Sequence, residues 1–322
     1  MKHIISGKRV LVTGAAGFIG ANLANRLLNQ NYKVHALVKN ETSMWRLANM
    51  RNDIYFHHTS LLDKGNITTL IRKINPHIII HLAAYGSAPT QRNEDKILQT
   101  NIIGTFNLLN ACLDINFDIF INTGTSTEYG IVNSKINENV YPKPLSLYGA
   151  SKVSATILCE LFARAYKKKI ITIRPFSVYG PYEEKIRFIP TIIRSLIEQK
   201  EIQLTKETIR RDFIYIDDLI NAYINAINYQ SYIKHSIYNI GSGVEHTNKQ
   251  VVQTLFKVTN LKSKLKIGAF AKRKWDTTHC VSDISLAKKD LKWQPINSLD
   301  QGLLKTYNWF LVNSNLYGTK QK

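Results

Sequence analysis

The feature that most constrains this chain is a glycine-rich turn near its start. Residues 8–20 read KRVLVTGAAGFIG, in which strand-forming residues end at Thr13 and glycines follow at Gly14, Gly17 and Gly20. Apolar residues at helical spacing begin directly afterwards, which predicts a strand, a tight turn and a helix. Glycine permits a sharp turn, an open backbone and close helix packing at these three positions. The turn therefore predicts a dinucleotide site at the helix N-terminus, with a tight turn that binds nothing as the alternative.

Length and composition limit the kinds of protein that the chain can be. With 322 residues, of which 44% are hydrophobic, we expect one large or two modest domains with a substantial core. The first strand follows the start directly, and no apolar run approaches the roughly 20 residues of a membrane span, so we expect neither a signal peptide nor a membrane partner. The three cysteines, Cys112, Cys159 and Cys280, form no CxxC pair. They predict no disulfide framework and no metal site, and are typical of a cytoplasmic protein.

The net charge of +20 is compatible with a nucleic acid or an anionic membrane. Most basic residues are scattered, however, and the denser patches at 167–169 and 262–274 lack the interleaved aromatic residues of single-strand binders. We therefore interpret the charge as solvated surface and predict no nucleic-acid partner. An anionic substrate remains compatible with it.

Strand and helix patterns alternate as far as about residue 175, which predicts an α/β fold with a Rossmann-type, doubly wound parallel sheet. Beyond residue 175, helical stretches alternate with short strands and loops. We predict a dinucleotide-binding domain over 1–175 and a smaller α/β substrate-binding cap over 176–322, with an interleaved, soft boundary. The predicted strands are 33–38, 53–57, 77–84, 118–122, 170–174, 212–216 and 236–240. The predicted helices are 62–74, 95–113, 148–166, 188–199, 217–228, 247–259 and 299–313.

A tyrosine and a lysine four residues apart form a second signal. Tyr148 and Lys152 are one helical turn apart in the predicted helix 148–166, so their side chains share a face. An ammonium beside a phenol favours the phenolate and lowers the phenol pKa, which makes the tyrosine a usable acid or base near neutral pH. Of the sixteen tyrosines, only Tyr148 has lysine at the fourth position on.

A hydroxyl-rich loop precedes this pair. Residues 119–130 read IFINTGTSTEYG, a strand that runs out into serine and threonine residues. Open α/β sheets bind ligands at the carboxyl ends of their strands, so a hydroxyl of this loop can bond a reacting oxygen. The alternative is that these hydroxyls satisfy backbone groups of the loop.

Together these motifs resemble those of the extended short-chain dehydrogenase/reductases, and within them the nucleotide-sugar epimerase/dehydratase group. The resemblance covers nearly the whole chain. It implies an NAD(P)-dependent enzyme acting on a nucleotide-diphosphate sugar, with Thr125 as the catalytic hydroxyl, Tyr148 as acid/base, and Lys152 holding the cofactor ribose and tuning Tyr148. It also implies a homodimer formed through the helices 95–113 and 148–166. The matching motifs lie at 13–20, 81–84, 101–105, 148–152, 174–181, 211–218, 238–241 and 292–295.

The resemblance also assigns residues to each ligand. Paired arginines suit a diphosphate because their fork geometry allows bidentate bonds. For Arg211, a salt bridge to Asp212 or Asp217 is the alternative. The implied cofactor-binding residues are Gly14, Ala16, Gly17, Phe18, Ile19, Gly20, Leu82, Ala83, Ala84, Tyr148 and Lys152. The implied substrate-binding residues are Ser87, Thr125, Ser126, Ser177, Arg211, Arg273 and Asp276.

Two departures from the family pattern bear on the reaction. Dehydratases carry Asp-Glu directly after the catalytic threonine, whereas Thr125 is followed by Ser-Thr and Glu128 is displaced by one position. This disfavours 4,6-dehydration without excluding it. Relatives that prefer NAD carry an acid at the end of the second strand, whereas this chain has Lys39, which would attract a 2′-phosphate. NADP(H) is therefore slightly favoured over NAD, with a solvated lysine as the alternative.

These departures slightly favour a 4-ketoreductase of a nucleotide 4-keto-6-deoxy sugar, similar to CDP-abequose and CDP-paratose synthases around residues 210–213. A 4-epimerase resembling UDP-glucose 4-epimerase is the alternative. In either reaction Tyr148 exchanges a proton with the C4 oxygen, Thr125 shares that hydrogen bond, and the nicotinamide carries the hydride. A 4,6-dehydratase, a non-catalytic NAD(P) sensor and a nucleic-acid binder are less favoured.

Overall fold

The computed structural model describes residues 7–205, 209–270 and 278–317, and contacts divide the chain into two compact units. Relative to a contiguous division near residue 175, residues 131–140 belong to the second unit and residues 223–238 to the first. The first unit contains Met1–Gly130, Tyr141–Arg174 and Tyr223–Tyr238, and the second contains Ile131–Val140, Pro175–Ala222 and Asn239–Lys322.

The largest sheet has seven strands: β1 (Arg9–Thr13), β2 (Lys33–Val38), β3 (Tyr55–His58), β4 (Ile78–His81), β5 (Ile119–Thr123), β6 (Ile170–Pro175) and β10 (Ile237–Ile240). Their order is β10-β6-β5-β4-β1-β2-β3, and the pairs among β1 to β6 are parallel. The strand order reverses at β1, which pairs with β2 on one side and β4 on the other. Ligands of such sheets bind outside the carboxyl ends of the strands at this reversal. The prediction of a doubly wound parallel sheet is confirmed.

The helices of the first unit begin and end at recognisable capping residues. The Asp63 side chain accepts a hydrogen bond from the Asn66 amide at 3.1 Å, and the helix that follows ends at Asn75, which adopts the left-handed conformation before Pro76. Ser146 caps the helix that carries Tyr148 in the same way. These helices are α1 (Phe18–Asn29), α2 (Lys64–Ile74), α3 (Glu94–Leu98), α4 (Gly104–Ala111) and α5 (Leu147–Ala165).

The segment predicted as one helix over 95–113 is helical from Glu94 to Ala111, but its middle is not α-helical. A π-helical turn, Gln99–Ile103, separates α3 from α4. Its residue Asn101 is fully buried, and the Asn101 side chain bonds both backbone groups of Tyr85 and the hydroxyl of Ser151. The widened turn coincides with this polar side chain in the interior, which a purely apolar periodicity does not report.

The core of the first unit lies on the face of the sheet covered by α2, α4 and α5. All residues of β4 and β5 are buried, which explains why these strands read as continuous runs rather than as alternating patterns. The cluster includes Leu11, Ile79 and Phe120 from the strands and Ile67, Leu108 and Phe162 from the helices.

The second unit contains two small sheets. Their strands are β7 (Ser177–Tyr179), β8 (Ile202–Thr205), β9 (Arg210–Tyr215), β11 (Glu245–Thr247) and β12 (Leu265–Phe270). One sheet has the strand order β11-β9-β7, and the other pairs β12 with β8. Sequence patterns predicted only β9 of these; β7, β8 and β11 have three or four residues each, and β12 is mostly exposed and lacks a buried apolar run. Its helices are α6 (Phe188–Ile197), α8 (Asn248–Thr259), α9 (Ser285–Asp290) and α10 (Leu299–Asn313), while α7 (Ile216–Asn228) is divided between the units.

Candidate active site

The glycine turn after β1 has two positions that packing reserves for glycine. Gly14 has a φ of +71°, and a Cβ there would lie 2.7 Å from the Ala83 nitrogen. A Cβ at Gly20, in the first turn of α1, would overlap the Gly14 carbonyl oxygen and lie 2.7 Å from the Ala15 Cα. Gly17 is exposed and is the N-cap of α1. The turn thus leaves the helix N-terminus open, an arrangement that fits a pyrophosphate.

The loop that follows β4 lies against this turn. The Leu82 amide donates to the Thr13 carbonyl at 3.1 Å, and the Ala83 amide donates to the Thr13 hydroxyl at 3.2 Å. His81 lies beneath, with its ring nitrogens 2.7 Å from Thr13 Oγ1 and 2.9 Å from Thr105 Oγ1. Burial lowers the pKa of His81 to about 3, so the ring is neutral. The strand predicted over 77–84 ends at His81, and Leu82 and Ala83 lie beside Gly14 in the loop that follows it.

Lys39 lies directly after β2 and its side chain is exposed. It lines a shallow cleft together with Asn40, Glu41, Thr59 and Ser60. The end of the second strand is where dinucleotide-binding sheets hold the adenosine ribose. The cleft is thus a candidate site for that ribose, with a cation at its edge.

Arg46 is a residue near the glycine turn that sequence reasoning missed. It is buried in the short helical turn Trp45–Met50, its guanidinium donates to the Ala16 carbonyl at 3.4 Å, and it lies over the Trp45 ring. Neither spacing nor periodicity marks this arginine in the sequence. Only the packing of the turn against residue 16 reveals a second cation beside the predicted cofactor loop.

Thr125 begins the short helical turn Ser126–Glu128 at the carboxyl end of β5. Its hydroxyl accepts a hydrogen bond from the Thr127 amide at 3.3 Å and lies 3.1 Å from the Thr127 hydroxyl. The Thr125 hydroxyl thus bonds groups of its own loop, which is the alternative that the sequence left open for these hydroxyls. Because Thr125 is only half-buried, its hydroxyl can still face a ligand.

The turn that carries Thr125 and the helix that carries Tyr148 are in contact. A Cβ at Gly149, the residue after Tyr148, would lie 2.9 Å from the Thr127 carbonyl oxygen. A Cβ at Gly86, in the loop after β4, would lie 3.3 Å from the Tyr148 ring. The Thr125 turn and the loop after β4 therefore both lie next to the start of α5, which carries Tyr148.

Lys152 lies one turn after Tyr148 in α5 and is buried. Burial lowers the pKa of Lys152, while the carboxylate of Glu128 and the thiol of Cys159 act in the opposite direction. A buried ammonium is stable only near compensating negative charge or hydrogen-bond acceptors. Glu128 is therefore part of the environment that offsets the burial of the Lys152 ammonium.

Glu128 has no exposed surface and both of its carboxylate oxygens are engaged. Oε1 accepts from the Thr125 amide at 2.8 Å. Oε2 accepts from the Thr156 hydroxyl at 3.0 Å and pairs with the Arg174 guanidinium at 2.7 Å. The displaced acid of the sequence pattern thus lies inside the protein, bonded to its own turn and to two other elements, α5 and β6.

The predicted substrate residues fall in different places. Ser126 belongs to the Thr125 turn, and Ser87 is exposed in the loop after β4. Ser177 pairs with Phe213, two positions from Arg211, so Ser177 and Arg211 share one face of the β11-β9-β7 sheet. Arg273 and Asp276 lie outside the described residues.

The surroundings of Arg211 bear on the predicted alternative to substrate binding, a salt bridge to Asp212 or Asp217. The Asp212 carboxylate accepts bonds from the amides of Ser242, Gly243 and Ser282. Arg211 bonds the Cys280 thiol and favours the thiolate, although burial raises the Cys280 pKa overall.

A glycine-rich turn at the reversal of a doubly wound sheet, in one unit with a Thr, Tyr and Lys set, is typical of an enzyme of the short-chain dehydrogenase/reductase class. The family model that matches residues 10–241 is that of the NAD dependent epimerase/dehydratase family. The chain belongs to this family, whose members act on nucleotide sugars.

Known relatives extend this assignment over the whole chain. A UDP-glucuronate 4-epimerase of Thermodesulfobacterium geofontis is 30% identical and covers 95% of this chain and 97% of its own. The structure of Thermotoga maritima UDP-glucose 4-epimerase with UDP-glucose has a TM-score of 0.87, with 28% identity over 95% of this chain and 99% of that chain. Bacillus cereus UDP-glucuronic acid 4-epimerase, in complex with UDP-glucuronic acid and NAD, has a TM-score of 0.83, with 28% identity over 94% and 99%. dTDP-glucose 4,6-dehydratases also occur among the relatives.

No helix among the described residues is long and apolar enough to span a membrane.

Proposed function

We propose that this protein is a nucleotide-sugar 4-epimerase that uses NAD and inverts C4 without removing water. Relatives that are 28–30% identical over nearly the whole chain are 4-epimerases of UDP-glucose or UDP-glucuronic acid. The single observation that favours epimerisation over dehydration is the position of Glu128.

Dehydration across C5 and C6 needs a carboxylic acid side chain that reaches the sugar. Glu128 is the acid nearest to the pattern position in the sequence, yet its carboxylate is fully buried and bonded to Thr125, Thr156 and Arg174. Ser126 and Thr127, which occupy the positions of the dehydratase pair, have no acidic group. The chain thus keeps the groups for chemistry at C4 and lacks the pair for elimination.

In this proposal Tyr148 takes the proton of the C4 hydroxyl as the C4 hydride leaves, and returns it when C4 is reduced from the other face. Thr125 donates to the same oxygen and fixes its position. The buried ammonium of Lys152 favours the phenolate of Tyr148. Bound NAD supplies the hydride acceptor and donor, and the Gly14–Gly20 turn with Leu82–Ala84 would hold it.

The test is product analysis by NMR after incubation of the NAD-loaded protein with UDP-glucose, UDP-glucuronic acid and dTDP-glucose. The proposal predicts a C4 epimer of at least one of them, and no epimer with Tyr148→Phe. A 4-keto-6-deoxy product would contradict it, as would the absence of any conversion with a correctly folded protein.

A 4-ketoreductase that uses NADPH is the second candidate, and Lys39 is the observation that favours it. The exposed ammonium lies at the edge of the cleft lined by Thr59 and Ser60, with Arg46 as a further cation beside Ala16. An acid at this position would repel a 2′-phosphate, whereas a cation attracts it.

Calorimetric titration with NAD⁺ and NADPH, for the wild type and Lys39→Asp, distinguishes the candidates. NADPH binding that is tighter than NAD⁺ binding and is lost in Lys39→Asp would favour the reductase.

We also propose a homodimer formed by α3, α4 and α5. These helices and the π-helical turn between α3 and α4 expose a group of large apolar side chains that are 39% to 57% accessible: Leu98, Ile103, Phe106, Ile157 and Leu161. Ile157 and Leu161 lie four residues apart and so share a face of α5. Covering such a face with a second copy would remove it from water.

For the second unit we propose a substrate-binding role, with Ser177 and Arg211 contacting the nucleotide diphosphate. Arginine matches a diphosphate through its fork of N–H donors.

We further propose a cytoplasmic location, since the free thiols of Cys112, Cys159 and Cys280 suit a reducing compartment.

A further inference from the structure

Glu128 is buried in a place where an apolar residue would be easier to accommodate. A buried carboxylate requires full compensation, which Arg174 and Thr156 supply from β6 and α5. Its other oxygen bonds a main-chain amide of the candidate catalytic turn. The carboxylate therefore connects three elements that are distant in the sequence.

We propose that Glu128 is a positioning residue that fixes the Thr125 hydroxyl relative to helix α5, which carries Tyr148 and Lys152. This inference deepens the proposed function and rests on it, since it explains how the hydroxyl and the phenol reach the same sugar oxygen.

The contacts form a continuous path between the two catalytic elements. From Thr125 the path runs through its amide to Glu128 Oε1, and from Oε2 to the hydroxyl of Thr156, one turn beyond Lys152 in α5. The 3.0 Å bond to Thr156 is the direct connection to α5, while Arg174 holds the carboxylate from the sheet side through Nε at 2.8 Å. A shift of the carboxylate thus displaces the turn relative to the helix.

The packing around the carboxylate leaves little room for such a shift. A Cβ at Gly124 would lie 2.5 Å from Glu128 Oε1, 2.9 Å from the Arg174 side chain and 2.9 Å from the Thr172 methyl group. The Arg174 guanidinium also lies over the Tyr129 ring at 4.6 Å. The carboxylate is therefore enclosed on several sides, which suits a group that sets a position rather than one that reacts.

Thr156→Val tests the proposal most cleanly, because it removes one bond to Glu128, preserves the side-chain shape and leaves the ion pair in place. Thr156→Ser restores the hydroxyl and is the rescue variant. Thr306→Val is the matched control, since Thr306 is as buried as Thr156 and its hydroxyl donates to the Gly302 carbonyl within the same helix, α10. Glu128→Gln is a second, stronger variant, to be used if its thermal unfolding shows a folded protein.

Two readouts are needed. Hydrogen exchange of the peptide covering residues 124–130 reports the order of the turn without substrate, and kcat and KM for the epimerised sugar report the reaction. We expect Thr156→Val to exchange faster in this peptide and to lose roughly tenfold to a hundredfold in kcat with little change in KM, as misplacement by a fraction of an ångström does. Thr156→Ser should restore both, and Thr306→Val should change neither.

Unchanged exchange in Thr156→Val would overturn the proposal, as would faster exchange with a normal kcat. A wild type that converts no nucleotide sugar would contradict the proposed function instead. The exchange measurement would then still decide whether Glu128 holds the turn.

Discussion

The Arg174 guanidinium lies 2.7 Å from the Glu128 carboxylate, and neither side chain has more than 2% of its surface exposed. Arg174 is the next-to-last residue of β6 and Glu128 ends the turn after β5, so the pair joins the exits of two neighbouring strands. In this family member the acid three positions after Thr125, the proposed catalytic threonine, is thus a component of the interior.

Removing one partner of this pair should be costly. Arg174→Met leaves Glu128 charged and buried, and we expect it to lower the free energy of unfolding by about 3–5 kcal/mol, measured by urea denaturation. The double variant Arg174→Met with Glu128→Gln should recover part of that loss. As a control, Arg72→Ala breaks the exposed pair between Arg72 and Asp114 and should cost less than about 1 kcal/mol. Equal losses at the two pairs would contradict the account.

Gly20→Ala should impair cofactor binding. The added methyl group would overlap the Gly14 carbonyl oxygen, so α1 must move away from the turn that is proposed to hold the pyrophosphate. We expect weaker NAD binding in calorimetry and a lower Tm. Gly65→Ala in α2 is the matched control, because the nearest atom to its Cβ would be Asp63 Oδ1 at 3.9 Å. That variant should leave binding unchanged and gain up to about 1 kcal/mol in stability.

Because His81 is neutral in the folded protein, we expect the free energy of unfolding to fall in acid. Its folded pKa of about 3 is below the ordinary 6.5, so below pH 6.5 the unfolded chain binds a proton that the folded chain does not. The free energy of unfolding should therefore fall with decreasing pH, by at most about 1.4 kcal/mol per pH unit from this group. Urea denaturation between about pH 7 and pH 4 should show a shallower slope for His81→Asn than for the wild type, and an unchanged slope would contradict this prediction.

The proposed dimer can be tested with a charge on its apolar face. Ile157→Glu should convert the dimer to a monomer in size-exclusion chromatography with light scattering, because it would bury a carboxylate against the partner copy. Val312→Glu in α10 is the control, since Val312 is exposed and lies on another helix. A monomeric wild type at working concentration would remove the proposal.

Much of the fold and of the cofactor turn follows from the sequence, because local chemistry determines both. Buried parallel strands produce continuous apolar runs such as 78–81, and the glycines at 14 and 20 are required by backbone contacts that the structure contains. Helical spacing singles out Tyr148 and Lys152, and the resemblance assigns Thr125. The first unit has Thr125 on a turn in contact with the helix that carries the other two.

The rest depends on distant contacts that a linear pattern does not record. The role of Glu128 emerges only from its bonds to Thr156 and Arg174, which are 28 and 46 residues away. Asn101 interrupts a predicted helix for a similar reason, and Arg46 lies beside Ala16 without any sequence signal. The predicted NADP(H) preference and the 4-ketoreductase activity stay predictions, since one exposed lysine is their main support.

The central claim is hydride transfer at C4 without dehydration, and the most direct test follows a deuterium placed at C4 of the nucleotide sugar that the protein converts. The account predicts by NMR and mass spectrometry an epimer that keeps deuterium at C4 and its hydroxyl at C6. A dehydratase would instead lose water across C5 and C6 and deliver the hydride to C6. Deuterium at C6 of a 4-keto-6-deoxy product would contradict the account.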